Sequence, residues 1–250
     1  MATGRNTAAF FDIDGTLYRD SLLIEHFKKL LKYDVLDEAL WHTKVKYTYE
    51  DWKKRRGNYD DYLVELVDIY VESLKGIEKS KMDFITSQVV DLKGDTVYMY
   101  TRRQIEWHKE QEHKVFFVSG SPDYLVHKMA ERYGITDCIG SKYLLDDEDR
   151  YTGDVIQMWD KTSKQKALLD FTEQYALDLD ESYAYGDTLG DLSMFRLVGH
   201  PVAINPTREL LGHLKAGKRL RAKVKVVVER KDVIYMLDPE VDICCPEFEE

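Results

Sequence analysis

The chain has 250 residues, 44% of them hydrophobic, and a formal net charge of −10 at pH 7, enough apolar content for a sizeable core in one large domain or a core plus a smaller one. The negative charge argues against broad binding of nucleic acid or an anionic membrane, and no run approaches the ~18 apolar residues needed to cross a bilayer. The lack of a basic-then-apolar signal layout at the N-terminus, and of metal-ligand spacing among Cys138, Cys244 and Cys245, fits a reducing, cytoplasmic setting.

The first predicted element is a short apolar strand that runs into Phe10-Phe11-Asp12-Ile13-Asp14-Gly15-Thr16-Leu17. Residues i and i+2 of a strand face the same way, so Asp12 and Asp14 start on one side of the backbone before Gly15 lets the chain turn. Two acids this close need a proton, a cation or a donor to relieve their repulsion, and each of these suits phosphate chemistry. From 20 to 95 the character changes. Periodic stretches such as Leu22 to Leu31 and Tyr62 to Leu74, without proline and rich in charge, predict a helical insertion. Within it, Arg55 and Arg56 are candidates for a substrate carboxylate or second phosphate, against the plainer reading of a solvated charged run. Tyr47, Tyr49, Trp52, Tyr59 and Tyr62 either line an aromatic pocket or pack helices.

The next strand, over 115–118, ends in Ser119-Gly120-Ser121-Pro122. Pro122 suits the first turn of a helix, so the Ser119 hydroxyl, the N–H groups of Gly120 and Ser121 and the positive helix end form a candidate anion site. That helix presents Leu125, Val126, Met129, Ala130 and Tyr133 on one face and stops at Gly134. Between Tyr143 and Ile156 an acidic stretch followed by Thr152-Gly153 reads as a hairpin tip exposed to solvent. Lys164 lies in the opening of an amphipathic helix with apolar residues at 167, 168 and 171, and offers a fixed positive charge; Lys161 and Lys166 are rivals for that place, with spacing and helix register favouring Lys164. A further strand runs into Gly186-Asp187-Thr188-Leu189-Gly190-Asp191, whose carboxylates, four residues apart, suit a hard cation. Asp191 alone could equally cap a helix. After a last apolar run at 201–204, the basic residues from Lys215 to Lys225 read as a solvated helix and strand edge, and the tail beyond Asp238 as frayed. None of the seven histidines sits in a metal or triad pattern. Strands alternating with helices predict an α/β fold with a parallel sheet, and such sheets bind ligands beyond the carboxyl ends of their strands, where Asp12, Ser119 and Asp187 all fall.

These motifs, in this order, resemble the haloacid dehalogenase superfamily, and Tyr183-Ala184-Tyr185-Gly186-Asp187 with Val198-Gly199-His200-Pro201 is similar to its phosphoserine phosphatase branch. The resemblance implies a Rossmann-like parallel-sheet core over 1–19 and 96–250, with a helical cap inserted at 20–95. It implies Asp12 as nucleophile and Asp14 as proton donor and acceptor. Ser119, Gly120 and Lys164 would bind phosphate, and Mg²⁺ would be held by Asp12, Asp14 (through its carbonyl) and Asp187, with Asp191 acting through water or a second-layer bond. The branch carries an early cap Glu for a substrate amine where this chain has Ser21, which sets phosphoserine itself apart as a substrate. The expected activity is a Mg²⁺-dependent phosphomonoester hydrolase acting on a small soluble phosphorylated metabolite through an aspartyl-phosphate. The alternatives are a phosphotransferase or sugar-phosphate mutase using the same intermediate, and a non-catalytic sensor of phospholigands.

Overall fold

The computed structural model describes residues 6–54, 59–158 and 161–242. In chain order the elements are β1 (Ala8–Phe11), α1 (Leu22–Lys32), α2 (Glu38–Leu40), α3 (Lys46–Lys53), α4 (Tyr59–Leu74), α5 (Lys79–Lys93), α6 (Met99–Glu110), β2 (Lys114–Pro122), α7 (Asp123–Tyr133), β3 (Asp137–Leu145), β4 (Tyr151–Ile156), α8 (Lys161–Tyr175), β5 (Tyr183–Gly186), α9 (Leu192–Leu197), β6 (His200–Ile204), α10 (Arg208–Ala216), α11 (Lys218–Arg221), β7 (Lys225–Arg230) and β8 (Val233–Leu237). They group into two compact units. Among the described residues the first comprises 6–22, 90–142, 157–158 and 161–241; the second comprises 23–54, 59–89, 143–156 and Asp242.

The first unit is an α/β layer built on strands in the order β3-β2-β1-β5-β6-β7-β8. All neighbours are parallel except the terminal β7–β8 pair. A parallel sheet needs both faces covered, and the alternation along β1 shows how the sequence provides for it. Ala8 and Phe10 join Phe116, Val118 and Ala184 in a core shared with Ala167, Leu168 and Phe171 of α8 and Leu192, Met194 and Phe195 of α9. On the other face Phe11 stacks on Tyr185 and meets His108 of α6 edge-on, while Phe117 meets Tyr133 of α7. Each fully buried phenylalanine contributes roughly 1.5–3 kcal/mol to folding. The chain steps from β1 to β2 and β3 on one side and later returns to lay β5, β6 and β7 on the other. The topological switch therefore lies beside β1, at the strand ends that carry Asp12 and Asp187.

The α7 face is buried as its periodicity predicts, and Gly134 ends the helix in the left-handed conformation, φ 56°. Pro122, however, closes β2 and serves as the N-cap, so the helix begins one residue later than expected. β3, β7 and β8 add to the expected strands. β7 lies in the basic stretch, where charged ends mask a buried Val226 and Val227.

In the second unit Leu23, Ile24, Phe27 and Leu30 of α1 are buried, as are Leu66, Ile69, Tyr70 and Leu74 of α4 and Met82, Ile85 and Val89 of α5. His26 is fully buried among them, with Nδ1 2.8 Å from the Tyr70 hydroxyl and Nε2 3.2 Å from that of Thr86. The expected hairpin at 143–156 has an exposed tip, but its base belongs to this unit. Tyr143 and Tyr151 are buried, and the 74–79 loop bonds to it through Gly76 N–H to Tyr151 O (2.8 Å) and Lys79 N–H to Asp149 O (2.9 Å). Tyr47 is 77% exposed, and Tyr49 packs edge-on against Trp41. Arg55 and Arg56 lie outside the described residues, as do the side chains of Trp52, Tyr59 and Tyr62 and the residues Cys244 and Cys245.

Candidate active site

Asp12 leaves β1 with its N–H donating to Tyr185 O of β5 at 3.0 Å. The chain then folds over on itself, the N–H groups of Leu17 and Tyr18 both donating to Ile13 O (2.9 and 2.7 Å) while Gly15 takes φ +78°. A Cβ on Gly15 would stand 2.1 Å from Asp187 Oδ2, so only glycine permits both this turn and this approach. Thr16 completes the loop by donating to Asp187 Oδ1 at 3.0 Å.

Lys164 reaches in from α8. Its ammonium lies 3.2 Å from Asp12 Oδ1 and 2.6 Å from Asp191 Oδ1, with only 3% of its side chain exposed. Asp12, Asp187 and Asp191 each offer a carboxylate oxygen within 4.8 Å of the others, and all three are buried. Three carboxylates against one ammonium leave two negative charges where water is nearly excluded. Burial pushes Asp12 up to about 7 even though Lys164 pulls the other way. Burial, then Asp12 and Asp191, raise Asp187 as well. Burial also disfavours the charged form of Lys164, but Asp12 and Asp191 outweigh it and hold the ammonium above its ordinary range. A divalent cation fits this donor set, since hard oxygen ligands and a charge deficit of two are what it would satisfy.

Asp191 is bonded through both carboxylate oxygens. Its Oδ2 accepts from the N–H groups of Asp187 and Thr188, both at 3.0 Å, and its Oδ1 takes the lysine. It thus caps the 188–191 turn and also bonds Lys164 and the Asp187 amide as a second-layer residue would, so the two readings of the sequence meet in it. Asp12 and Asp187 remain the carboxylates with oxygens to spare.

Asp14 turns away from the three-acid cluster. Its Oδ1 accepts from Leu22 N–H at 2.9 Å, and its Oδ2 from Ser121 Oγ at 2.5 Å and Ser21 Oγ at 3.3 Å. Burial raises this carboxyl to about 6. Ser119 is buried at the end of β2, and its hydroxyl accepts from Ser121 N–H at 3.2 Å, so that amide, expected to face an anion, is bonded within the loop. Gly120 O accepts from Ser141 Oγ at 2.7 Å. The α7 N-terminus carries its own carboxylate, Asp123, which accepts from Tyr124 N–H.

The family model for haloacid dehalogenase-like hydrolases matches residues 9–196. The chain belongs to this family. Its relatives include the inhibition of morphological differentiation protein of Streptomyces azureus, 26% identical over 82% of this chain and 73% of that protein. They also include a histidinol-phosphatase of Neisseria meningitidis, 23% identical over 81% and 91% of the two chains. Among solved structures, a phospho-aspartyl intermediate analogue of phosphoserine phosphatase superposes with a TM-score of 0.58 at 19% identity, covering 92% of this chain and 96% of that one.

Between the lysine rivals of this hydrolase, Lys164 is buried on the carboxylates and Lys166 is exposed, while the side chain of Lys161 lies outside the described residues. Sequence reasoning overlooks the side-chain hydroxyls of Thr16 and Ser121. Thr16 belongs to the same short motif as the two acids. Ser121 shares strand parity with Ser119, a signal that would have found it.

Of the histidines, His42, His127, His200 and His213 are exposed, while His26 and His108 are buried in hydrogen-bonded positions. His108 is fully buried at the other end of the strands, its Nε2 2.9 Å from the Tyr185 hydroxyl and its Nδ1 2.8 Å from Nδ1 of His113. Tyr185 donates to Gln104 Oε1 at 3.0 Å, so its oxygen accepts from His108 Nε2–H, and His108 Nδ1 accepts from His113. Burial, then His113, lowers His108 to about 3. No helix among the described residues is long and apolar enough to cross a membrane.

Proposed function

We propose that this protein is a Mg²⁺-dependent phosphomonoester hydrolase that works through an aspartyl-phosphate on Asp12 and acts on a small phosphorylated metabolite in the cytoplasm. The observation that carries the reading is the buried Asp12–Lys164–Asp191 bridge with Asp187 beside it, at the carboxyl ends of β1 and β5. The phosphatase names of the relatives support it. We take the helical second unit as the cap that chooses the substrate.

In this mechanism Asp12 attacks phosphorus, forming an O–P bond as the bond to the leaving oxygen breaks. Asp14 gives its proton to that leaving oxygen and later takes one from the water that cleaves the acyl phosphate. Lys164 and the Ser119 hydroxyl hold the phosphoryl oxygens, and Asp191 keeps Lys164 aimed at them. The carboxyls of Asp12 and Asp187 and the carbonyl of Asp14 would hold Mg²⁺, which supplies charge neutralisation and keeps Asp12 ionised. Asp14 favours phosphoester chemistry over ATP-driven transport or dehalogenation, because neither of those needs a second acid.

Phosphate release from a panel of phosphorylated amino acids, sugars, nucleotides and amino alcohols tests the proposal, with Mg²⁺ or a chelator, for the natural chain and for Asp12→Asn. Release that needs both the metal and Asp12 is expected. Release that persists without either overturns the reading.

A further inference from the structure

Asp14 has two oxygens in different company. Oδ1 accepts from the Leu22 backbone N–H at 2.9 Å, and that group can only donate. An N–H bonded to Oδ1 lowers the basicity of that oxygen and is accepted better by a bare oxygen than by a protonated one, so the proton is favoured on Oδ2. Oδ2 meets only hydroxyls, Ser121 at 2.5 Å and Ser21 at 3.3 Å. A hydroxyl donates to an ionised oxygen and accepts from a protonated one, so contacts of this kind survive both states of the acid. Ser121 is 5% exposed and lies at the end of β2, next to Pro122, which pairs with Ser141 of β3. The shorter of the two contacts is therefore also the one that comes from the sheet.

We infer that Ser121 is a positioning residue for the reaction, its hydroxyl fixing the Asp14 carboxyl so that Oδ2 is the atom that gives up and regains the proton. The inference rests on the proposed role of Asp14 as acid and base. In the first half-reaction the Oδ2–H bond breaks and the proton goes to the leaving oxygen, which keeps the electron pair of its broken bond to phosphorus while Asp12 bonds to phosphorus. In the second half-reaction water bonds to phosphorus, its proton goes to Oδ2, and the Asp12–phosphorus bond breaks.

The leaving group provides the test. A nitrophenolate departs without a proton, whereas an alkoxide does not, so a misplaced acid slows alkyl phosphates selectively. The experiment measures KM and the single-turnover rate of alcohol release, the half-reaction that precedes the water step shared by all esters, for p-nitrophenyl phosphate and for an alkyl phosphate from the active panel, using the natural chain, Ser121→Ala, Ser121→Thr and Asp14→Asn. Ser121→Ala keeps the backbone N–H on Ser119, so the loop retains that bond. It is expected to lower that single-turnover rate ~10–30-fold on the alkyl ester and less than ~3-fold on the aryl ester with KM little changed, and Ser121→Thr to restore the alkyl rate to within ~3-fold. Equal losses on the two esters for Ser121→Ala, or a Thr variant as slow as Ala, overturn the inference provided that Asp14→Asn separates the esters. Should Asp14→Asn fail to separate them, the reading of Asp14 falls, and the role of Ser121 falls with it.

Discussion

The two ends of the central strands bury titratable groups in opposite ways. At the carboxyl end Asp12, Asp187 and Asp191 face one ammonium, with acids left over. At the amino end His108 is buried neutral, with both ring nitrogens bonded. A neutral group with its hydrogen bonds satisfied stabilises the fold; charges without full compensation cost it, and persist where chemistry needs them. The contrast separates residues that hold the sheet together from residues that the sheet holds in place.

Turnover divides the two ends most sharply. Asp12→Asn is expected to lower phosphate release by more than ~10⁴-fold, as loss of a nucleophile does, whereas His108→Phe keeps it within a few-fold, measured with Mg²⁺ on the same ester. A slow His108→Phe enzyme would mean that the histidine network is not separate from the chemistry.

Lys164→Ala follows. Without its ammonium Asp12 and Asp191 are left buried and uncompensated, so a loss of about 3–5 kcal/mol is expected in metal-free denaturation, together with a kcat ~10²–10³-fold lower. Unchanged stability would show that the carboxylates are already protonated in the resting protein.

Smaller and opposite in sign are the effects of removing one group from each end. In metal-free protein Asp187→Asn is expected to raise the melting temperature, because it deletes a charge whose burial is unfavourable. His108→Phe is expected to lower stability by about 1–3 kcal/mol, since it strips partners from Tyr185 and His113. Saturating Mg²⁺ should stabilise the natural chain, by about 2.7 kcal/mol at a hundredfold excess over Kd, and Asp187→Asn should lose most of that gain.

Acid should act oppositely on the buried histidines, His108 beside the sheet and His26 in the helical unit, and on the buried carboxyls, by the smallest margin per pH unit. His108 and His26 lie near 3 when folded against an ordinary value of 6.5, so below pH 6.5 the unfolded chain takes up protons that the folded one does not. Stability therefore falls as pH drops through 6.5, by about 1.4 kcal/mol per unit for each group. Asp12 and Asp14, at about 7 and about 6 against 3.8, are protonated in the fold while still ionised in the unfolded chain. Their cost is fully present above pH 7 and eases as pH falls toward 3.8. Denaturation of metal-free protein from pH 4 to 8 should show His108→Phe flattening the acid limb and Asp187→Asn changing chiefly the neutral side. Parallel curves for the two variants would contradict the contrast.

How much of this was legible in the sequence follows from how local each feature is. The strand ending in Asp12, the Gly15 turn, the α7 face with its Gly134 stop and the lysine of α8 are written in short runs, because side-chain periodicity and turn chemistry act over a few residues. They sufficed to indicate the family, the α/β class and the residues brought to one sheet edge. The partition of roles at that edge was not legible. Asp191 was expected to act through water or a second-layer bond, or to cap a helix; which donors it would take was not legible, and the structure gives it the 188–191 turn, the Asp187 amide and Lys164. The Ser121 amide was expected to face an anion and instead bonds Ser119, while its hydroxyl takes Asp14. His108 was only one of the histidines outside any metal or triad pattern until Tyr185, 77 positions away, supplied its partner. Sequence alone determined which chemical groups the chain owns and where strands end. Only the tertiary structure decided which oxygen meets which donor, because a hydrogen bond is set within a few tenths of an ångström by elements distant in the chain, and no local pattern records that distance.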